Sequence, residues 1–481
     1  LFNFVYSSTL FFENYYLAAK ILNTIFFIGF IAVLFMLALK FLNFWWSAGF
    51  AVVAYISPIS MYTSMYLPEA IYFFFLAWTL YFLVCALETD SRYAWLLAGG
   101  ALGLAALSKP HALISAMAIG IFVVIFSLAG TKPIKNLLLR AAYLGGSFLV
   151  FRLGIGFLLA GPQALGLFNS YGAASGLGTF VSGVPSAGGV EGSLVGAGNV
   201  AGAIGLFPTQ FLTHTYSVVA YLGAALATVI AFVISSAVKN TRSLQTSFVL
   251  LVLVWLGVMV VSIVLFTGWI TGAGDDHTLR VLLRYYDFMF PIVFLAGLVA
   301  AFSISSSSLP AWTRWVSAGA VFLLLTPAFS GYFGGLVIQI ADAPNLAGLV
   351  VDRFTFDWTG GLIAISLVVL AFFPSLVKYA VSGSLVFTLA LTGYQAQDQY
   401  IGFRGFDNSI DQGSKEIDSF LSQGELQELQ IVANSNFDGR LASFWLDGDF
   451  ALRLVPPGSD ASEFIEEGVV LFVGTFAAFE E

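Results

Sequence analysis

Apolar residues in this chain come in long unbroken runs, not in the period-two or period-3.6 patterns of half-buried strands and amphipathic helices. Twelve runs before residue 395 are long enough for a helix that crosses roughly 30 Å of hydrocarbon. They centre on 20–40, 47–66, 68–87, 93–108, 110–129, 137–160, 215–237, 246–270, 285–303, 315–336, 360–373 and 376–394, of which the eleventh is the shortest. They predict an all-α polytopic membrane protein, because a segment in lipid must satisfy its backbone polar groups internally.

The polar connections alternate in kind. With Leu1 outside, every second one is short and basic, carrying Lys40, Arg92, Lys132 with Lys135 and Arg140, Lys239 with Arg242, Arg314, and Lys378. Such loops face the cytoplasm. The opposite connections hold Tyr66-Leu-Pro-Glu69, Ser108-Lys-Pro-His111, a Gly-rich stretch at 161–213, the polar stretch 271–284, the acidic 337–359 and the C-terminal tail. The residues with chemistry therefore gather on one side. Two outside termini are unusual for an even number of spans. One helix upstream of Leu1 would give thirteen spans and a cytoplasmic amino terminus, so an upstream segment is expected. The opening Leu-Phe-Asn-Phe-Val-Tyr reads as an ordered aromatic loop, and 161–213 as a surface stretch or lid.

Past residue 394 the pattern changes. Short runs at 429–433, 450–455 and 468–474 read as strands, with 462–467 a short helix between two of them. Residues 395–481 also carry 16 of the 27 acidic residues and only 4 of the 19 basic ones. The expected division is a transmembrane bundle at 1–394 and a small soluble α/β domain at 395–481. With 59% hydrophobic and 10% charged residues, the chain as a whole is not a soluble enzyme, and its acidic balance suits no nucleic-acid partner. The single Cys85 lies in an apolar run, which excludes a disulfide framework within the chain.

Three stretches can carry chemistry. In Ser108-Lys-Pro-His111, Pro110 suits the first turn of a helix, so Lys109 and His111 flank an anion-attracting helix start. The competing reading is a lysine reaching for the headgroups. In Tyr66-Leu-Pro-Glu69, Pro68 opens a span and Glu69 occupies its first turn, where it either caps the helix or serves as a base or acceptor-orienting carboxylate. The stretch from Thr271 to Pro291, if helical from Asp276, lines up Asp276, Arg280 and Arg284 at four-residue spacing with His277 alongside. That comb suits an anion or merely neutralises itself. Arg152, deep in the sixth run, either faces the bundle or snorkels outward, and Gly99 with Gly103 marks a close helix contact.

Taken in order, Ala18-Ala-Lys-Ile-Leu-Asn23, Tyr66-Leu-Pro-Glu69, Gly103-Leu-Ala-Ala-Leu-Ser-Lys-Pro110 and Arg284-Tyr285 followed by Pro291 resemble the GT-C class of polyprenyl-phosphate-dependent glycosyltransferases. That class includes protein mannosyltransferases and the lipid A aminoarabinose transferase. The resemblance implies a thirteen-span bundle in the plasma membrane of a bacterium or archaeon, with its site and C-terminal domain outside. The implied partners are a polyprenyl-phosphate-linked sugar, a glycan, lipid or protein acceptor, and the bilayer. The resemblance supports a donor-phosphate role for Lys109; on the same transferase reading, the charges assign the donor phosphate also to His111, His277, Arg280, Arg284 and Tyr285, and acceptor chemistry to Glu69 or Asp276. The class places its catalytic aspartate in the first exoplasmic loop; no aspartate precedes Asp90 here, and of that loop only Glu13 is acidic, so the main base is expected upstream of residue 1. No cofactor is expected, while the carboxylates leave a divalent metal open. A transporter with a charged vestibule and a catalytically silent scaffold are the alternatives.

Overall fold

The structure, a computed structural model, describes residues 1–12, 14–65, 67–128, 133–162, 197–239, 243–271, 281–306, 310–336, 338, 340–403, 417, 421, 429–433, 451–455 and 470–473. Each of the twelve apolar runs falls on helix. In chain order the α-helices among the described residues are α1 (Phe2–Tyr6), α2 (Tyr15–Leu39), α3 (Phe44–Tyr55), α4 (Glu69–Thr89), α5 (Arg92–Ser108), α6 (Ala112–Leu128) and α7 (Pro133–Leu149). A π-helical turn, Val150–Ile155, leads from α7 into α8 (Gly156–Ala160). Then follow α9 (Ala197–Val238), α10 (Leu244–Thr271), α11 (Met289–Ser306), α12 (Ala311–Phe329), α13 (Pro344–Val350), α14 (Arg353–Phe372) and α15 (Val377–Phe403). Among the described residues seven helices are long and apolar enough to cross a membrane, or eight if a bent pair counts as one span. The protein is an all-α polytopic membrane protein.

That bent pair is the second run. α3 and the 3-10 helix Pro58–Ser64 meet at 55°. Pro58 offers no N–H, and the residue before a proline avoids the α region; Ser57 accordingly adopts ψ 161° and the helix breaks there. The broken piece is held from two sides, by Asn23 Nδ2 donating to Met65 O at 2.6 Å and Gln397 Nε2 donating to Ser60 Oγ at 2.9 Å.

Three local expectations need correction. The opening residues are not a loop, because α1 and the 3-10 helix Ser7–Phe11 pack Tyr6 against Ala19 and Ile71. The stretch 161–213 is shorter than expected, since α9 already runs from Ala197; along its length α9 packs on α12, α10 and α11. The eleventh run gains about two turns upstream, because Asp352 caps α14 by accepting from Thr355 N at 2.7 Å.

The glycine pair behaves as spaced. A Cβ on Gly99 would overlap the Leu144 carbonyl oxygen, and one on Gly103 would lie 2.8 Å from Phe151 Cβ, so α5 and α7 approach backbone to backbone. The basic connections meet at one end of the bundle. Lys40 Nζ reaches Glu88 at 2.7 Å, Arg140 reaches Asp90 at 3.1 Å, and Lys378 lies 5.5 Å from the Phe302 ring. Arg314 donates to Ala371 O at 3.2 Å at that end as well.

Chain contacts divide the molecule into Leu1–Gln399 and Tyr400–Glu481. In the second unit β1 (Gln430–Ala433) pairs in parallel with β2 (Ala451–Leu454) and β3 (Val470–Val473), in the order β2-β1-β3. All three strands lie where the sequence places them. Leu429, Ile431, Ala433 and Val473 form their core. The short helix expected at 462–467 lies outside the described residues.

Candidate functional site

Four consecutive residues, Arg284-Tyr285-Tyr286-Asp287, tie the remote end of the bundle together. Arg284 and Tyr285 end a 3-10 turn, Leu283–Tyr285, and Tyr286 and Asp287 follow in a further turn, each donating its backbone N–H to Leu283 O at 2.9 Å. Each of the four side chains meets a different element. Arg284 gives its backbone N–H to Asp342 O at 2.6 Å and its guanidinium to the Asp342 carboxylate at 3.4 Å, just ahead of α13. The Tyr285 ring stacks on His111, between α5 and α6, with centroids 4.0 Å apart. Tyr286 Oη lies 2.7 Å from His214 Nδ1 on α9. Asp287 Oδ2 accepts from the Tyr62 hydroxyl, at the end of the broken span, at 2.7 Å.

A second layer closes on this turn. Lys109 Nζ forms an ion pair with Glu69 Oε1 at 2.6 Å, with both side chains less than a tenth exposed. The same ammonium sits 5.0 Å from the Tyr285 ring and 5.6 Å from that of Tyr72. The Arg284 guanidinium faces Tyr285 from 5.1 Å, so two cations share one aromatic face-maker. Tyr72 in turn lies 5.5 Å from Phe288, and Tyr62 lies 5.7 Å from Phe73. The cluster is sealed except at Arg284, whose side chain is 26% exposed.

Charge within the cluster is unevenly matched. Lys109 neutralises Glu69 and Arg284 neutralises Asp342, whereas Asp287 has no ion-pair partner among the described residues. Burial pushes the Asp287 carboxyl up to about 7, against the Tyr62 hydrogen bond and the Lys109 charge and with the help of Glu69. Burial, reinforced by the Lys109 and Arg284 charges, holds the His111 imidazole well below its usual range, so it is neutral. One oxygen of each of two carboxylates, Glu69 Oε2 and Asp287 Oδ1, is buried without a hydrogen bond to the described residues. Among those residues no three His, Cys, Asp or Glu side chains converge as a metal would need.

The sequence matches no protein-family model and no curated protein. Among solved structures it is similar to a crystal structure of ArnT from Cupriavidus metallidurans in the apo state, at 16% identity and a TM-score of 0.39, over 94% of this chain and 75% of that one. At that similarity no activity or residue role is carried over.

Of the site residues expected from sequence, Glu69, Lys109, His111, Arg284 and Tyr285 come together. Asp276, His277 and Arg280 lie outside the described residues, as does Glu13. The comb expected through Arg284 does not reach it. Leu282 is non-helical at φ −107°, ψ 65°, and the Arg284 N–H serves Asp342 instead of a carbonyl four residues back. Pro110 lies in a turn just ahead of α6 and does not begin it. Arg152 does not snorkel; it is 2% exposed in the π-helical turn and faces the bundle.

Tyr62, His214, Asp287 and Asp342 were not singled out by the sequence. Asp287 had one available signal, a carboxylate directly before an apolar run and next to a candidate arginine. The other three are ordinary residues until the fold brings them to the turn.

Proposed function

We propose that the protein is a membrane glycosyltransferase that moves a sugar from a polyprenyl-phosphate donor to an acceptor on the outer face of the membrane. The observation that carries the reading is the convergence of Lys109, Glu69 and Tyr285, drawn from three distant motifs, at 2.6 and 5.0 Å around one ammonium. Two cations held by carboxylates beside one tyrosine form an anion-attracting site. An incoming phosphate shares Lys109 and Arg284 with the carboxylates already paired to them. Stabilising the leaving phosphate is the main electrostatic demand of such a transfer. His111 and Tyr285 supply neutral donors to the same group, and His277 and Arg280 extend the set. Glu69, still paired with Lys109, or Asp276 orients the acceptor. The order of the motifs, like that of the GT-C class, supports the same reading.

The test is transfer of a radiolabelled sugar from a polyprenyl-phosphate donor by the full-length protein in membranes, with donor-lipid binding measured alongside. Lys109→Ala should lower both by on the order of 100-fold. Unchanged binding of the lipid phosphate by that variant would remove the reading.

One observation favours a transporter as the second reading. A span broken at Ser57 beside a buried carboxylate, Asp287, is an arrangement that membrane carriers use to bind coupling ions. Proton-dependent uptake into proteoliposomes without sugar transfer would select it.

A further inference from the structure

Resting on the glycosyl-transfer reading, we infer that Asp287, and not Glu69, is the group in this cluster that takes the proton from the acceptor. Glu69 is committed, with Oε1 bound to Lys109 at 2.6 Å in a pair whose side chains are both nearly sealed from solvent. A carboxylate so paired is a poor proton acceptor, because protonating it strands a buried cation. Asp287 is fully buried, is held in one orientation by the Tyr62 hydroxyl on Oδ2, and keeps Oδ1 free of any hydrogen bond to the described residues. Glu69 Oε2 is likewise buried without a partner, so the choice between the two carboxylates rests on the ion pair to Lys109, which Glu69 has and Asp287 lacks among the described residues.

Tyr62 faces Asp287 from the 3-10 helix, Glu69 and Tyr72 from α4, Lys109 from the end of α5, Tyr221 from α9, and Tyr286 is its neighbour. Only Lys109 among them is a cation, and Glu69 already cancels it. Arg284, which bears on Tyr62, is cancelled by Asp342. Asp287 therefore gains a charge only at a cost and holds a proton readily near neutrality.

In the transfer, the acceptor O–H releases its proton to Asp287 Oδ1, and its oxygen pair forms the new bond to the anomeric carbon. The bond from that carbon to the phosphate oxygen breaks, and its electron pair stays on the phosphate beside Lys109 and Arg284. Atoms and charge balance, with the proton on Asp287 and the extra negative charge on the lipid phosphate.

The experiment uses the full-length protein and compares Asp287→Asn, Glu69→Gln and Tyr62→Phe for sugar transfer, donor-lipid binding and the carboxyl infrared signal across pH. The expected result is that Asp287→Asn keeps donor binding and lowers transfer by about 100-fold or more. In wild type the acidic limb of the rate profile and the carboxyl band absent from Asp287→Asn should titrate together. Tyr62→Phe, which takes a hydrogen bond from the charged form, should move both to higher pH. Transfer by Asp287→Asn within a few-fold of wild type, or a limb unmoved in Tyr62→Phe, overturns the inference. Absence of transfer in wild type fails the glycosyl-transfer reading instead, and the carboxyl band then still reports whether Asp287 binds a proton near neutral pH. If Asp287→Asn does not fold, the Tyr62→Phe shift decides.

Discussion

The Tyr62 hydroxyl donates to Asp287 Oδ2 at 2.7 Å across 225 residues of sequence, joining the broken second span to the turn that precedes α11. Both side chains are fully buried. This contact fixes where the break in the bundle sits relative to the charged cluster, and it gives Asp287 a direction.

Asp287 makes stability depend on pH with a definite sign. Its carboxyl titrates near 7 in the folded protein and near 3.9 when unfolded. Between those values the folded state binds more protons, so stability falls as pH rises from about 4 to about 7, by at most about 1.4 kcal/mol per pH unit. The thermal midpoint in detergent should drop over that window in wild type and lose that part of the drop in Asp287→Asn. An identical profile in the variant would mean that Asp287 ionises as freely as an exposed carboxylate.

The Lys109–Glu69 pair should show non-additive substitution. Removing one partner strands a buried charge, which costs roughly 3–5 kcal/mol in buried pairs, while removing both relieves it. Lys109→Met with Glu69→Gln together should therefore melt higher than either single variant. Additive losses would show the pair to be solvated.

Close packing of α5 on α7 depends on Gly99, whose added Cβ would meet backbone that cannot swing aside. Gly99→Ala should destabilise by about 1–3 kcal/mol. Gly120→Ala, on a helix with open space around that position, is the neutral control. Equal midpoints for the two variants would contradict the contact.

Sidedness follows from the clustered basic connections. In a Cys85→Ser background, a cysteine replacing Arg353, which is 93% exposed, should react with an impermeant maleimide in intact cells. One replacing Glu88, beside Lys40, should react only after permeabilisation. The reverse pattern would place the charged cluster on the cytoplasmic side.

Much of this molecule was written in local pattern. The twelve apolar runs lie on helix because a backbone in apolar surroundings must satisfy its own hydrogen bonds. Among the described residues only seven helices, or eight with the bent pair, are long and apolar enough to cross a membrane, so apolar length overstated the number of spans. The Gly99–Gly103 spacing and the three strands were likewise legible, because side-chain size and short-range periodicity decide them. Glu69, Lys109, His111, Arg284 and Tyr285 stood out because charge and proline are rare beside apolar runs.

What the sequence could not determine was the partner of each. Whether Lys109 meets a headgroup or Glu69, whether Arg284 belongs to a helical comb or to Asp342, and whether Asp287 is an ordinary helix-start carboxylate depended on contacts between elements 40 to 225 residues apart. Only the tertiary structure could settle them, because burial and ion pairing are properties of the neighbours that folding brings and not of the residues themselves.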